Sequence, residues 1–388
     1  MHTATFEEIS QGRVADVYLL RAREILRALQ KRQRVTAEFV VKSFPSPDPW
    51  GVFAGLEEAV ELLRRVPRLT VWAMPEGTIF GPHQPTLVLE GRYLDFGIYE
   101  TALLGFLCQA SGIATKAARC RQAAGRKLLI SFGARRIHPA LAPMVERSAY
   151  LGGCDGVATV AAAEHLQVEP MGTVPHALIL LAGDATTALK AFHRVIEPKV
   201  KRVALVDTLG DEPAEAVQCA KALGKHLFGV RLDTPASRRG DFLQLLREVR
   251  WELDLRGFRH VQLLVSGGIN EDTIHQLTSL ADGFGVGTAI SNAPVLDFAL
   301  DIVAVEGKPC AKRGKLSGIK QVYRCLRCLA TVLRPTGQRP TTALCACRTT
   351  PEPLLQPLIT RGRLLRPLPL PKTIRHHVLT QLARLRSP

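Results

Sequence analysis

Apolar residues recur at near-helical spacing between Val14 and Arg32, at Val17, Leu20, Ile25, Leu26 and Leu29 with charges between them, which predicts an amphipathic helix. Val35 to Phe44 is instead β-rich and stops at Pro45, Pro47 and Pro49, where three prolines exclude regular structure. Helical spacing returns from Leu56 to Val66. Val71 to Leu94 then reads as short strands broken by Pro75, Gly77, Gly81, Pro82, Pro85 and Gly91. These elements predict an N-terminal α+β domain, residues 1–110, whose last strand ends near Tyr93. A long helix from Tyr99 to Ala124, interrupted at Gly112, leads out of it.

From Lys127 the pattern changes to short apolar runs alternating with helical windows: Lys127 to Phe132, Gly156 to Val160, Arg202 to Val206, Leu227 to Leu232, His260 to Val265, Gly283 to Val286 and Ile302 to Val305. Such alternation predicts right-handed βαβ units around a parallel sheet, an irregular or incomplete α/β barrel over residues 111–307. Sites in such folds sit where strands end and helices begin. Polar or glycine-rich clusters follow nearly every run, whereas the opposite strand ends carry nothing comparable. Beyond Lys308 the texture changes again, with 10 of the 25 prolines, before a final helix from Thr373 to Leu385.

Composition refines this α/β reading. With 388 residues, 46% hydrophobic and 22% charged, the chain is expected to fold around a substantial core. Its first twelve residues hold two glutamates and no apolar run, and the longest apolar stretch, near Ala177 to Ala182, is too short to span a bilayer. A soluble cytoplasmic protein is expected. The net charge of +16 resides in the C-terminal fifth, where 17 basic residues face one acid, Glu352; the preceding 307 residues are balanced, with 34 of each sign. This segregation argues for a basic appendage on a neutral enzyme rather than a chain-wide nucleic-acid footprint.

Ser266-Gly267-Gly268-Ile269 ends one run, and Asn270 offers a cap to the helix that follows. Adjacent glycines let backbone N–H groups converge on an anion without Cβ interference. Gly285-Val286-Gly287-Thr288 repeats the design one strand later. Either could be simple turn chemistry, but on neighbouring late strands the pair points to a phosphorylated sugar. Asp207 and Asp233 end the two preceding strands, where a carboxylate can meet ribose hydroxyls, hold Mg²⁺ or merely cap a helix. Arg231 and Arg238 supply cations beside Asp233. Arg135 and Arg136 follow Phe132-Gly133, where they form either a guanidinium fork for carboxylate and phosphate or a solvated surface pair. His176, after Gly172-Thr173-Val174-Pro175, reads as a capping or packing residue or as a catalyst.

Nine cysteines without an export signal argue against a disulfide framework. Four of them, Cys325-x2-Cys328 and Cys345-x-Cys347, have the spacing of two knuckles around a structural Zn²⁺. The tail, residues 308–388, is therefore expected to be a small zinc-knuckle-like domain.

In their order along the chain, several motifs resemble those of nicotinate phosphoribosyltransferases, especially the short microbial type with a zinc-knuckle-like tail. They are Asp16-Val17-Tyr18 with Arg21, Glu100-Thr101-Ala102-Leu103-Leu104-Gly105, Phe132-Gly133-Ala134-Arg135-Arg136, Gly172-Thr173-Val174-Pro175-His176, Arg231-Leu232-Asp233-Thr234 with Ser237-Arg238, and Ser266-Gly267-Gly268. The resemblance implies transfer of the phosphoribosyl group of phosphoribosyl pyrophosphate to nicotinate. Tyr18 would line the pyridine pocket from the partner subunit of a homodimer. Arg136 would hold the nicotinate carboxylate, with Arg135, Arg238 and Thr173 near the substrate anions. Ser266, Gly267, Gly268, Gly285, Gly287 and Thr288 would carry the 5′-phosphate, while Asp207 and Asp233 would face ribose or Mg²⁺-pyrophosphate. His176 would be the histidine phosphorylated from ATP. Three rivals stand beside this reading: quinolinate phosphoribosyltransferase; nicotinamide as the substrate, against which the arginine pair argues; and a nucleic-acid-binding module fused to a barrel.

Overall fold

A computed structural model describes residues 2–340 and 345–385. The chain divides into two compact units, Met1–Thr115 with Pro294–Pro388, and Lys116–Ala293.

In the first unit the strand Arg34–Val41 is buried along all but its first residue, as its continuous Val, Phe and Ala content requires. It pairs antiparallel with Phe298–Val305 on one side and Leu87–Arg92 on the other. Seven strands result, in the order Lys308–Pro309, Phe298–Val305, Arg34–Val41, Leu87–Arg92, Thr70–Ala73, Gln356–Thr360 and Arg363–Leu364. The helix Leu56–Leu63 buries Leu56, Ala59, Val60, Leu62 and Leu63 in one core with Phe39, Phe53 and Leu89. At about 1.5–3 kcal/mol per large side chain, these contribute on the order of 10 kcal/mol before ordering entropy is subtracted. Gly55 starts that helix at φ +89°, and a Cβ there would lie 2.4 Å from the Phe106 carbonyl oxygen, so only glycine fits.

Three expectations are revised in this unit. The run Ile302 to Val305 belongs to the antiparallel sheet and not to the βαβ series, because its backbone partners are Val35 to Ala37. The tail does not stand apart: Gln356–Thr360 pairs with Thr70–Ala73. Its last helix, Pro371–Leu385, buries Gln381, whose amide accepts from Ile79 N and donates to the Gly77 carbonyl. Near the N-terminus the predicted helix spans Val17–Ala28 and is preceded by a short one, Phe6–Ser10, closed by a Thr5–Glu8 capping box.

The second unit holds a five-stranded parallel sheet, ordered Leu128–Ser131, Gly283–Val286, Gln262–Val265, Gly229–Leu232 and Val203–Leu205. Helices Glu212–Leu223, Phe242–Leu255 and Glu271–Leu277 link successive strands, so all five strands end at one rim. Backbone pairing leaves Leu128–Ser131 and Val203–Leu205 as edges, and among the described residues only the bridge Ile130↔Gly156 extends the first edge. Gly156 to Val160 forms no further strand. The buried Glu146 carboxylate takes the N–H groups of Ala158 and Thr159 (2.8 and 2.9 Å), and Thr159 caps the helix Val160–Leu166. No helix among the described residues is long and apolar enough to cross a membrane.

Candidate active site

The Gln262–Val265 strand runs into Ser266-Gly267-Gly268, where the two glycines hold φ of +82° and +66°. This left-handed pair costs glycine little, and a Cβ on Gly267 would stand 3.2 Å from two oxygens of Asp233. Asn270 caps the next helix, accepting from Thr273 N at 2.9 Å. On the neighbouring strand Gly285 leaves space for the Phe132 ring, which a Cβ would approach to 2.3 Å.

These turns converge with the arginine pair. Arg135, Arg136, Ser266, Gly267, Gly268, Gly285, Gly287 and Thr288 line one cavity of about 210 Å³, together with Asp233, Phe132 and Arg231. Glycine-rich turns and guanidinium side chains therefore border one space, the combination that suits a phosphate.

Arg231 organises its floor. From inside the Gly229–Leu232 strand its Nε donates to Ser266 Oγ (2.9 Å), its Nη1 to Thr173 Oγ1 (2.6 Å), and its Nη2 pairs with Asp233 Oδ2 (3.0 Å). Ser266 in turn donates to Asp233 Oδ1 (2.6 Å). Both Asp233 oxygens are thus committed within the protein. Asp207 differs: its Oδ2 accepts from Asp233 N (2.9 Å), while its Oδ1 is buried without a hydrogen-bond partner among the described residues. Burial, and secondarily the charge of Asp233, holds the Asp207 carboxyl above its usual range against the opposing pull of His176 and Arg231. His176 joins through both ring nitrogens, with Nδ1 2.9 Å from Thr208 Oγ1 and Nε2 3.7 Å from Asp233 Oδ2.

Two predicted residues lie elsewhere. Arg238 is exposed on the four-residue helix Ala236–Arg239, and it is Arg239 that turns inward, donating to the carbonyls of Thr234 and Gly267 (both 2.7 Å). The helix rotates each residue by about 100°, so Arg238 and Arg239 face different ways. Tyr18 belongs to the other unit, on Val17–Ala28, where it is 57% exposed. There the first two quoted motifs meet, as Thr101 Oγ1 donates to Asp16 Oδ2 (3.0 Å) and accepts from Asp16 N (3.1 Å). Arg231 was expected only as a cation beside Asp233. A charged residue within an otherwise apolar strand was the signal of its larger part. Thr208 and Phe132 carried no comparable signal.

The ligand atoms of Cys325, Cys328, Cys345 and Cys347 all lie within 4.8 Å of one another, also in the first unit. Four sulfurs about 2.3 Å from a tetrahedral zinc would be spaced about 3.8 Å, so this donor set fits such an ion.

The C-terminal domain family of quinolinate phosphoribosyl transferase matches residues 113–301, and the N-terminal domain family matches residues 16–111. A crystal structure of nicotinate-nucleotide pyrophosphorylase from Pyrococcus furiosus is 50% identical, with a TM-score of 0.97 over 100% of this chain and 99% of that one. A nicotinate phosphoribosyltransferase of Mycobacterium tuberculosis is 33% identical over 313 residues, 76% of this chain. The chain spans 64% of that relative's length. Human nicotinic acid phosphoribosyltransferase shares the fold, at 22% identity and a TM-score of 0.76 over 96% of this chain and 94% of that one.

Proposed function

Because the chain belongs to the quinolinate and nicotinate phosphoribosyltransferase family, we propose that it transfers the phosphoribosyl group of phosphoribosyl pyrophosphate to nicotinate, yielding nicotinate mononucleotide and pyrophosphate in NAD biosynthesis. The carrying observation is the shared cavity, in which the turns at Ser266 to Gly268 and Gly285 to Thr288 face Arg135 and Arg136.

The pyridine nitrogen of nicotinate is unprotonated near neutral pH and needs no general base. Positioning and charge remain the protein's task. In this reading the glycine turns anchor the 5′-phosphate, and Arg136 grips the nicotinate carboxylate so that the ring nitrogen faces C1′. The C1′–O bond to pyrophosphate breaks as the C1′–N bond forms, and the departing oxygens gather negative charge beside Arg135. A magnesium ion would supply charge neutralisation to the pyrophosphate, and Asp207, whose buried Oδ1 has no hydrogen-bond partner among the described residues, would be the carboxylate to hold it, because Asp233 is spent on Arg231 and Ser266. The four cysteines would hold a zinc ion that ties two loops of the tail without joining the chemistry.

Coupling to ATP through phosphorylation of His176 is part of the proposal. Thr208 engages Nδ1, which leaves Nε2 directed at the Asp233 side as the nitrogen to carry a phosphoryl group. A homodimer is also proposed. Val17, Tyr18 and Ile25 are exposed on one short helix, an apolar stripe that a second copy would cover. A cytoplasmic location completes the reading.

The decisive experiment incubates the protein with phosphoribosyl pyrophosphate and Mg²⁺ beside nicotinate, quinolinate or nicotinamide, and identifies products by mass. Mononucleotide from nicotinate supports the proposal. Product formed from quinolinate alone, with release of CO₂, overturns it in favour of the sister reaction, which the matched domain families make the main rival. Arg231 pairs with Asp233, so among the described residues Arg135 and Arg136 are the cavity-lining cations without an ion-pair partner; with Arg135 given to the pyrophosphate, one guanidinium remains for the ring substituent, which favours a monocarboxylate over a dicarboxylate.

A further inference from the structure

A second cavity, of about 270 Å³, lies in the same unit on the far side of the Arg231–Thr173 hydrogen bond. Its walls are apolar side chains from the inner strand faces, Leu128, Ile130, Val203 and Leu264, with Phe228 beside them. The loop residue Met171, whose N–H donates to the Val157 carbonyl (2.8 Å), adds to its wall. Nothing in the transfer reaction described above uses this space.

Its charge is one-sided. Lys199 is matched by Glu169 (3.0 Å) and Glu197 (3.4 Å). Lys201 has no carboxylate partner among the described residues, and its Nζ stands 4.1 Å from the centroid of the Phe228 ring. An apolar space of roughly 150 Å³ is enough to hold benzene, so the larger volume here accommodates two fused rings. A cation at the edge of such a space selects a negatively charged end.

The cavity also touches the machinery. Thr173 is part of its wall, and the same hydroxyl accepts from Arg231, which lines the phosphate cavity. An occupant that displaces Thr173 must shift or release that guanidinium.

We propose that this cavity is a second ligand site, taking a small bicyclic or monocyclic aromatic monoanion with its rings among the strand side chains and its charge at Lys201. Occupancy is read out at the first site through Thr173 and Arg231. The binding half stands alone; the coupling half rests on the transferase reading.

The test uses 2-naphthoate as the probe on the full-length protein, followed by its intrinsic fluorescence. Saturable binding to wild type is expected, at least 10-fold weaker in Lys201→Glu, an exposed substitution, and unchanged in Arg136→Ala. Binding that survives Lys201→Glu would overturn the site, and binding lost in Arg136→Ala would assign the probe to the catalytic cavity. Val203→Phe, which fills the space, must also abolish binding while the protein retains its circular dichroism; Lys201→Glu decides the matter if that variant fails to fold. For the coupling, the probe should change the KM for nicotinate at least 3-fold in wild type and not in Lys201→Glu, whose turnover without probe is normal. In Thr173→Val the probe should still bind but leave KM unmoved. A probe that binds wild type without altering KM refutes the coupling, and a protein without transferase activity refutes the proposed reaction while the binding result stands.

Discussion

Arg231 Nη2 lies 3.0 Å from Asp233 Oδ2, a pair two residues apart at the end of one strand. Alternate residues of a strand project to the same face, so this spacing lets a carboxylate hold the guanidinium beside it. Both side chains are about 85% buried. Removing one member would strand the other's charge in a poorly solvated place. Asp233→Asn is therefore expected to lower kcat/KM about 100-fold, equivalent to roughly 2–3 kcal/mol. Steady-state kinetics check this, and a change below 3-fold would remove Asp233 from the positioning role.

Arg136 has no such partner among the described residues. Arg136→Ala should raise the KM for nicotinate about 10- to 100-fold while the KM for phosphoribosyl pyrophosphate moves little, as expected for loss of a charge-assisted hydrogen bond to one substrate. Equal changes in both constants would reassign it to the phosphates.

Asp207 contributes one pH-dependent element of stability. Its folded carboxyl titrates above the unfolded value, so its contribution to stability is fully present below the unfolded pKa and is lost as pH rises through the folded one. Asp207→Asn should consequently raise Tm relative to wild type at pH 7, with the gap closing as pH falls below the ordinary aspartate range. The same variant should lose Mg²⁺-dependent turnover. Thermal melts from pH 4 to 8 test the sign, and a variant less stable at pH 7 would contradict it.

His176→Ala is expected to abolish ATP stimulation but leave basal transfer. Thr208→Val should weaken ATP stimulation about 5- to 10-fold by releasing the imidazole, and Thr208→Ser should restore it. Labelling with [γ-³²P]ATP reports the phosphoryl group directly. Stimulation retained in His176→Ala would refute the phosphohistidine.

One zinc per chain should be found by atomic emission. Chelation or Cys345→Ser should lower Tm by at least about 5 °C and leave transferase activity at 25 °C within 2-fold. Activity lost in step with zinc would show that the ion supports more than the tail.

Local chemistry was legible from the residues alone. Ser266-Gly267-Gly268 and Gly285 to Thr288 announce turns because glycine is the residue that accepts their φ values and close approaches, and the cysteine spacing announces a cluster because short loops bring its members together. The strands were readable for the same reason, since a β-rich run depends on its own side chains. Partners were another matter. Ile302 to Val305 looks like any strand of the parallel series, yet it pairs with Val35 to Ala37, more than 260 residues away in sequence, so only long-range packing decides which sheet it joins. Gly156 to Val160 lost its strand to a carboxylate on another element, Glu146, and Arg239 rather than Arg238 faces Gly267 because the helix phase sets the direction. The sequence by itself determined which residues could grip an anion. Tertiary structure decided which of them share a cavity, because strand order and side-chain direction are settled by the packing of distant segments and not by their local composition.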